Sequence, residues 1–518
     1  MNISTRWRLL VVLSLLLCSV VQLLAQPLNE HEARLLAERF FNQSLYSRQM
    51  LTPRQMPLDL NATVSEGLIS MTTSKEIGET IALGIETKAG GEYTVEGAEK
   101  TNDFDEDGRL LYTLKSQTIT IKGAVTALDC FYNKLTTLDV TQCLELTVLY
   151  CQGNKLTTLD VTQCPNLTVL GCWDNKLTML DVTQCPALTE LYCFYNKLTT
   201  LDVTQCPKLT VLSCWNNQLT TLDVTQCPKL TVLGCSSNQL TTLDVTQCPE
   251  FTELGCWDNQ LTTLDVTQCP KLTVLACSSN PLTTLDVTQC PKLVLLYCES
   301  NQLTTLDVTQ CPELTELDCL DNQLTTLDVT QCSKLTQLDC SSNQLTALDV
   351  TQCMQLYWLY CYENKIVGNA MTKLVNSLPD RTSQEEVGDF VVVSDRPQES
   401  NLCLKSDVAI AKAKNWNTLR WNTTKEKTES YEGEERGSAI DALSIQTVRL
   451  YPNPASEVAS LNGLTPHSEV LLYTLEGVRL GSLCADAEGR ATLDVSTLDA
   501  GVYLVKTMRG DFRLIVAH

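Results

Sequence analysis

The chain has 518 residues, with 61 acidic against 38 basic side chains, a formal net charge of -23 and 43% hydrophobic content. It is too long for one ordinary domain and too apolar for a disordered polymer. Nucleic acid and anionic membrane surfaces are excluded as partners, since both call for a basic patch and the sequence has none.

Residues 1–25 have the pattern of a secretory signal peptide. Arg6 and Arg8 precede an apolar run from Leu9 to Leu17 and beyond, and Leu24-Ala25 offers a cut site before Gln26. Cys18 is a poorer fit to a lipoprotein acceptor, because Leu17 stands before it where a small residue is expected. No other stretch is long and apolar enough to span a membrane, so no transmembrane segment is expected in the mature form.

In residues 26–62, Ala33, Leu36, Ala37, Phe40 and Phe41 stand at helical spacing and predict a short amphipathic helix with a packing role. Residues 63–124 change to strand alternation, as in Ile81-Ala82-Leu83-Gly84-Ile85 and Thr118-Ile119-Thr120-Ile121, which predicts a β cap. Inside it, Asp103-Phe104-Asp105-Glu106-Asp107-Gly108 imitates the first half of a calcium loop. The twelfth position would be Leu114, which supplies no carboxylate, so a solvated acidic turn is the better reading.

Between residues 125 and 366 one 21-residue phrase recurs about twelve times, each containing Leu-x-x-Leu-x-Cys-x-x-Asn-x-Leu. A fixed period near 20 specifies a solenoid of the leucine-rich class. Cysteine recurs without slip from Cys130 to Cys361, and Asn three residues later from Asn133 to Asn364. Alternation in Leu149-Tyr150-Cys151 turns Leu149 and Cys151 inward and Tyr150 outward, predicting one parallel sheet whose exit edge the Asn amides cap. Leu138-Asp139-Val140-Thr141 also alternates and is too short for a helix, so a strand-backed, weakly curved rod about 55–60 Å long is expected. Each coil buries about four large aliphatic side chains, and no coil is stable alone, so both ends need caps.

A second cysteine column runs from Cys143 to Cys353. Parallel in-register side chains point the same way rather than at each other, which argues for buried reduced thiols over disulfides. Zinc is disfavoured: the repeats hold no Cys-x-x-Cys pair, and the only histidines are His31, His467 and His518. No metal site and no cofactor are expected.

After Asn364 the pattern decays, and residues 367–421 are expected to cap the solenoid. Residues 422–442 are polar and charged and predict a tether. Residues 443–518 predict a small β-sandwich-like domain, with strands at Val448 to Tyr451, Val470 to Tyr473, Val502 to Lys506 and Leu514 to Val516.

The repeat phrase resembles the cysteine-ladder repeats of internalin J and its relatives among bacterial surface proteins. It departs from them at Cys143 and its equivalents, where those proteins often carry Asn. The resemblance implies a mainly β rod that acts as an adhesin-like module. The tail resembles the C-terminal sorting domains of type IX secretion. The residues that carry this are Tyr451, Pro452, Asn453, Pro454 and Ala455, then Gly477, then Gly501 and Tyr503. This implies contact with that secretion machinery and attachment at the outer cell surface.

Core positions hardly vary between coils, so recognition must reside in the outward positions flanking each ladder cysteine. Phe131, Trp173, Phe194, Trp215, Trp257 and Tyr362 follow the cysteine. Tyr150, Tyr192, Tyr297 and Tyr360 precede it, and Trp358 stands nearby. Alternation leaves this aromatic row exposed to solvent, as a binding surface for host or bacterial surface proteins or glycans. Cross-strand packing that merely stiffens the sheet is the competing reading. On the other face, Asp139 to Asp349 form a carboxylate row that either hydrogen-bonds neighbouring Thr or binds divalent cations weakly. No nucleophile, base and orienter set is present, so no enzyme is expected. The function expected is adhesion or protein or glycan recognition at the cell surface, and the alternative is a spacer of the surface or biofilm matrix.

Overall fold

A computed structural model of the protein describes residues 67–435 and 449–517, apart from 452–454, 463, 465–466, 475–477 and 508–509. The signal peptide and the amphipathic helix expected before residue 62 lie outside the described residues. The chain divides into two units at Glu432 and Gly433.

The first unit opens with a cap that holds the first coil on two sides. One sheet is ordered β3 (Thr94–Glu96), β6 (Thr118–Gly123), β1 (Gly67–Thr73) and β8 (Leu135–Asp139). On the other side β2 (Thr80–Thr87) pairs antiparallel with β5 (Leu110–Leu114) and with β7 (Val125–Asp129), while β4 (Ala98–Phe104) extends it through β5. Period-two alternation drives the pairing, since Ile69, Met71, Ile119 and Ile121 all turn inward and are fully buried.

The repeats follow as eleven three-residue parallel strands, β9 (Val148–Tyr150) to β19 (Trp358–Tyr360), entered from β7. Register is held coil to coil: Leu149 faces Leu170, which faces Leu191, and so on to Leu359. Each coil sends five apolar side chains and two cysteines into one core, as Leu149, Cys151, Leu156, Leu159, Val161, Cys164 and Leu167 do. Both cysteine columns are free thiols. Those of the second column face carbonyls of the preceding coil, as Cys227 Sγ faces Val203 O at 3.5 Å.

The second side of the rod departs from the strand expected there. Among the described residues it shows β8 and isolated bridges at Asp265–Asp286 and Asp307–Asp328. Leu and Val still alternate inward, but each Asp carboxylate accepts the N–H and hydroxyl of the Thr two residues on. Thr162, for example, meets Asp160 Oδ1 at 2.9 and 2.7 Å. Such local turns divert the backbone from a continuous ladder.

The C-terminal cap is mixed rather than all β. Helix α1 (Asn369–Ser377) leads to β20 (Gly388–Ser394), and α2 (Lys405–Ala413) leads to β21 (Trp416–Asn422). Both strands continue the parallel sheet, so these are two lengthened, helix-backed coils. The expected tether also needs correction. Its first residues form β22 (Lys427–Ser430), antiparallel to β21, and the Tyr431 hydroxyl donates to Cys403 O at 3.2 Å.

In the second unit one sheet is ordered β23 (Arg449–Tyr451), β24 (Val458–Asn462) and β27 (Arg490–Asp494). The other is ordered β26 (Arg479–Cys484), β25 (Glu469–Thr474), β28 (Gly501–Thr507) and β29 (Gly510–Val516). Ala459, Leu461, Val470, Val495, Val505 and Leu514 form its core.

Candidate recognition face

The sheet face is positioned by a ladder of asparagines. Asn217 Nδ2 donates to Cys214 O at 3.0 Å in its own coil and to Cys193 O at 3.1 Å in the preceding one. Its Oδ1 accepts from Leu198 N at 2.9 Å. Each Asn therefore closes its own turn and fastens the coil before it. The residue preceding each Asn is left-handed, from Tyr132 (φ 53°) to Glu363 (φ 52°). Asp, Asn, Ser and Gly fill most of these positions, as that conformation favours.

The aromatic row does not lie open as alternation alone predicts. Trp173 and Phe194 are 5% exposed, Trp215 9%, Trp257 4%, Tyr192 1%, Tyr360 3% and Tyr362 2%. Phe131, Tyr150, Tyr297 and Trp358 are half-buried. The rings stack along their column, with Phe194 5.3 Å from Trp173 and 4.7 Å from Trp215, nearly parallel in both cases. Small residues beside the column give them room. A Cβ at Gly171 would sit 2.6 Å from the Tyr150 ring and 2.7 Å from that of Trp173. Trp173, Tyr192, Phe194, Trp215 and Trp257 thus form an apolar cluster separate from the solenoid core, with Tyr150 and Tyr297 at its margin. Tyr360 and Tyr362 belong to another cluster with Trp421 of β21. Phe131 lies apart, under the Arg109 guanidinium at 3.4 Å.

The sequence reading missed two features of this face. Tyr132 and Tyr195, at left-handed positions, are 53% and 47% exposed, and Tyr195 meets the Trp215 ring edge-on at 4.3 Å. Their signal was a bulky aromatic in a column otherwise filled by small or polar residues. Carboxylates also enter the outward columns. Tyr192 donates to Glu190 at 3.1 Å and Tyr297 to Glu316 at 2.6 Å. Burial raises the Glu316 carboxyl above its usual range, partly offset by the Tyr297 hydrogen bond.

The acidic run in the N-terminal cap is built around an arginine. Arg109 donates to Asp105 at 3.0 Å through Nε and to Phe131 O at 2.7 Å, and lies 3.4 Å from Asp129. The same hairpin recurs in the second unit, where Asp486 accepts from Arg490 N at 2.7 Å and Nε at 3.3 Å. Aspartate, a glycine turn and arginine recur in the order Asp105-Gly108-Arg109 and Asp486-Gly489-Arg490, so the run folds as a structural turn. On the far side of the rod the Asp and Thr rows line two shallow grooves of about 790 and 650 Å³. Hydrogen bonds from Thr183 hold the Asp181 carboxyl below its ordinary range.

Of the tail residues, Pro452, Asn453, Pro454 and Gly477 lie outside the described residues. Tyr451 ends β23 and is half exposed. Ala455 is buried and bridges Val516. Gly501 opens β28, and the Tyr503 hydroxyl donates back to Asp499 O at 2.8 Å.

A parallel sheet of 21-residue coils with an Asn and a Cys ladder, followed by a separate β-sandwich, defines a leucine-rich repeat solenoid joined to a further β domain. Comparison with known proteins agrees. Residues 207–246 match the family described as leucine rich repeats (2 copies), and residues 449–516 match the secretion system C-terminal sorting domain. The chain therefore carries leucine-rich repeats and, at residues 449–516, a region that matches a secretion sorting domain. Among solved structures it is similar to the functional domain of InlJ from Listeria monocytogenes, which includes a cysteine ladder. That match has 26% identity, covers 78% of this chain and 94% of that one, and has a TM-score of 0.44. It is also similar to the Leptospira interrogans protein LIC12759 (26% identity, 61% and 81% covered, TM-score 0.46) and to an internalin, InlF, of Listeria monocytogenes (19% identity, 57% and 86%, 0.48). No curated protein matches. No helix among the described residues is long and apolar enough to cross a membrane.

Proposed function

We propose that this is an exported cell-surface protein that binds a protein or glycan partner through the outward columns of its parallel sheet, without catalysis. The observation that supports this most is where the repeats differ. The far side is Leu-Asp-Val-Thr-Gln-Cys in every full coil from Leu138 to Cys353, whereas the positions after the ladder cysteine run Trp173, Phe194, Trp215, Ser236, Trp257, Ser278, Glu299 and Leu320. A surface that differs at every step can address one partner, while a uniform one cannot. The sorting domain carries the chain out by type IX secretion and leaves the rod attached at the outer surface.

The test is saturable binding of the mature chain to extracellular-matrix proteins, host cells and bacterial cells, with Tyr132→Ala and Tyr195→Ala as surface variants. Loss of binding without loss of folding is the expected result. Equal binding by the variants, combined with a graded response to deletion of whole coils, would favour the spacer reading. The ring stacking along the face is the observation that gives that reading its support.

A further inference from the structure

We propose that the C-terminal part of the sheet face takes an arginine side chain of a protein partner, held by Asp318 and Asp339 beside the hydroxyls of Ser341 and Tyr360. That the arginine comes from a protein partner rests on the recognition reading; the site itself does not. The outward positions one before each ladder cysteine, from Tyr150 to Tyr360, are charged only at Asp318 and Asp339. These two close adjacent strands, β17 (Glu316–Asp318) and β18 (Gln337–Asp339), and face each other in register, with Tyr360 next in line. Like charges directly opposite in a sheet repel, and a cation set against both reverses the effect. The outward positions three and one before the cysteine, and one and two after it, hold no Lys or Arg from Val148 to Glu363. The face is therefore complementary to a cationic partner.

Two buried hydroxyls point to the ligand independently of the charge. Ser341 N donates to Asp339 Oδ1 at 2.9 Å, which sets the serine beside that carboxylate. Its hydroxyl is fully buried and, like the buried hydroxyl of Tyr360, has no hydrogen-bond partner among the described residues. Unpaired buried hydroxyls are costly, and a group with several N–H donors satisfies them. Guanidinium is such a group: a planar fork of N–H donors with no acceptor, matched here by carboxylate and hydroxyl oxygens that can all accept. The neighbouring rings suit it as well. Trp358 lies 4.2 Å from Tyr360, and Tyr362 stacks on Trp421 at 6.2 Å, so π faces that attract a cation adjoin the pair. Asp318 and Trp358 are only half-buried and give access from solvent. A metal ion fits less well, since no three acidic, His or Cys side chains among the described residues converge on one point.

The test follows tryptophan emission of the full mature chain on titration with N-acetylarginine amide, with N-acetylcitrulline amide as its uncharged counterpart. Saturable binding of the arginine probe alone is expected, weakened about tenfold or more in Asp318→Asn/Asp339→Asn. The far-side pair Asp181→Asn/Asp202→Asn removes the same charge and should leave binding unchanged. No saturable response to arginine, an equal response to both probes, or equal loss in the two double variants would overturn the proposal. Should Asp318→Asn/Asp339→Asn fail to fold, Tyr360→Phe, which removes one hydroxyl and keeps the ring, decides: unchanged affinity sinks the site. Attachment to cells is measured in parallel. A natural chain that binds arginine and attaches to no surface keeps the site and loses the recognition reading, whereas attachment untouched by Asp318→Asn/Asp339→Asn overturns the assignment of the partner's arginine.

Discussion

Asn133 and Ala82 exchange a reciprocal pair of hydrogen bonds across the N-terminal cap: Ala82 N donates to Asn133 Oδ1 at 3.0 Å, and Asn133 Nδ2 donates to Ala82 O at 2.7 Å. In the coils that follow, the Asn amide bonds the carbonyl of the preceding ladder cysteine; here β2 of the cap provides the partner. The other end is closed in the same chemistry by Asn401, which comes from the loop after β20. It donates to Cys361 O at 2.7 Å and Val392 O at 2.9 Å and accepts from Ile366 N at 2.8 Å. The ladder therefore ends in paired groups rather than open ones.

Removing a rung should be costly because each amide serves two coils. Asn217→Ala leaves the Leu198 N–H unpaired and removes one of two amide donors from Cys193 O and Cys214 O, which keep Asn196 and Asn238, and is expected to destabilise the solenoid by about 1–3 kcal/mol. Urea unfolding followed by circular dichroism measures it, and a loss below about 0.5 kcal/mol would contradict the ladder's role.

Thiol chemistry should distinguish the two units. Burial pushes the thiols of Cys143 and Cys206 up to about 12 and that of Cys164 up to about 11, while Cys484 is exposed. In the native mature protein at pH 8, iodoacetamide should modify Cys484 alone, and denaturant should release the remaining thiols together. Mass spectrometry of the alkylated protein reads both numbers.

Asp129 should make the N-terminal cap weaken with rising pH. Burial pushes its carboxyl up to about 7, with Arg109 pulling the other way. The folded state then holds a proton that the unfolded chain releases near pH 4, so stability falls as pH rises from about 4 to about 7 and is flat above that. Asp129→Asn should remove that slope. The Asp181 and Asp223 carboxyls, held low by Thr183 and Thr225, act oppositely, and their contribution is lost only as pH falls below the ordinary carboxylate range. Denaturant midpoints from pH 3 to pH 8 should therefore pass through a maximum in mild acid.

Gly153 tests the left-handed column. Its φ is 64°, and a Cβ there would sit 2.0 Å from the Tyr132 ring, which lies over it. Gly153→Ala should cost about 1–2 kcal/mol from the backbone conformation, with further loss while Tyr132 is present. A double-mutant cycle with Tyr132→Ala separates the two parts.

The solenoid was legible in the sequence because it depends on positions that repeat. An unbroken 21-residue step from Cys130 to Cys361 can close only one way, and the Asn after each turn marks where unpaired carbonyls emerge. The face was less legible. Alternation gives the direction in which Trp215 leaves the strand, but its surroundings depend on Phe194 one coil away and Tyr195 two residues beyond Cys193. The C-terminal cap was less legible still, because β20 and β21 enter the sheet from coils of another length, backed by α1 and α2. The acidic run at Asp105 misleads through composition alone, since Arg109, just past the glycine, decides its role.

Because each asparagine bonds the coil before it in the same way wherever it stands, excision or duplication of 21 residues joins surfaces that already fit. Rod length is then a trait that unequal recombination between near-identical coding repeats can lengthen or shorten in a single step, while both end closures stay intact.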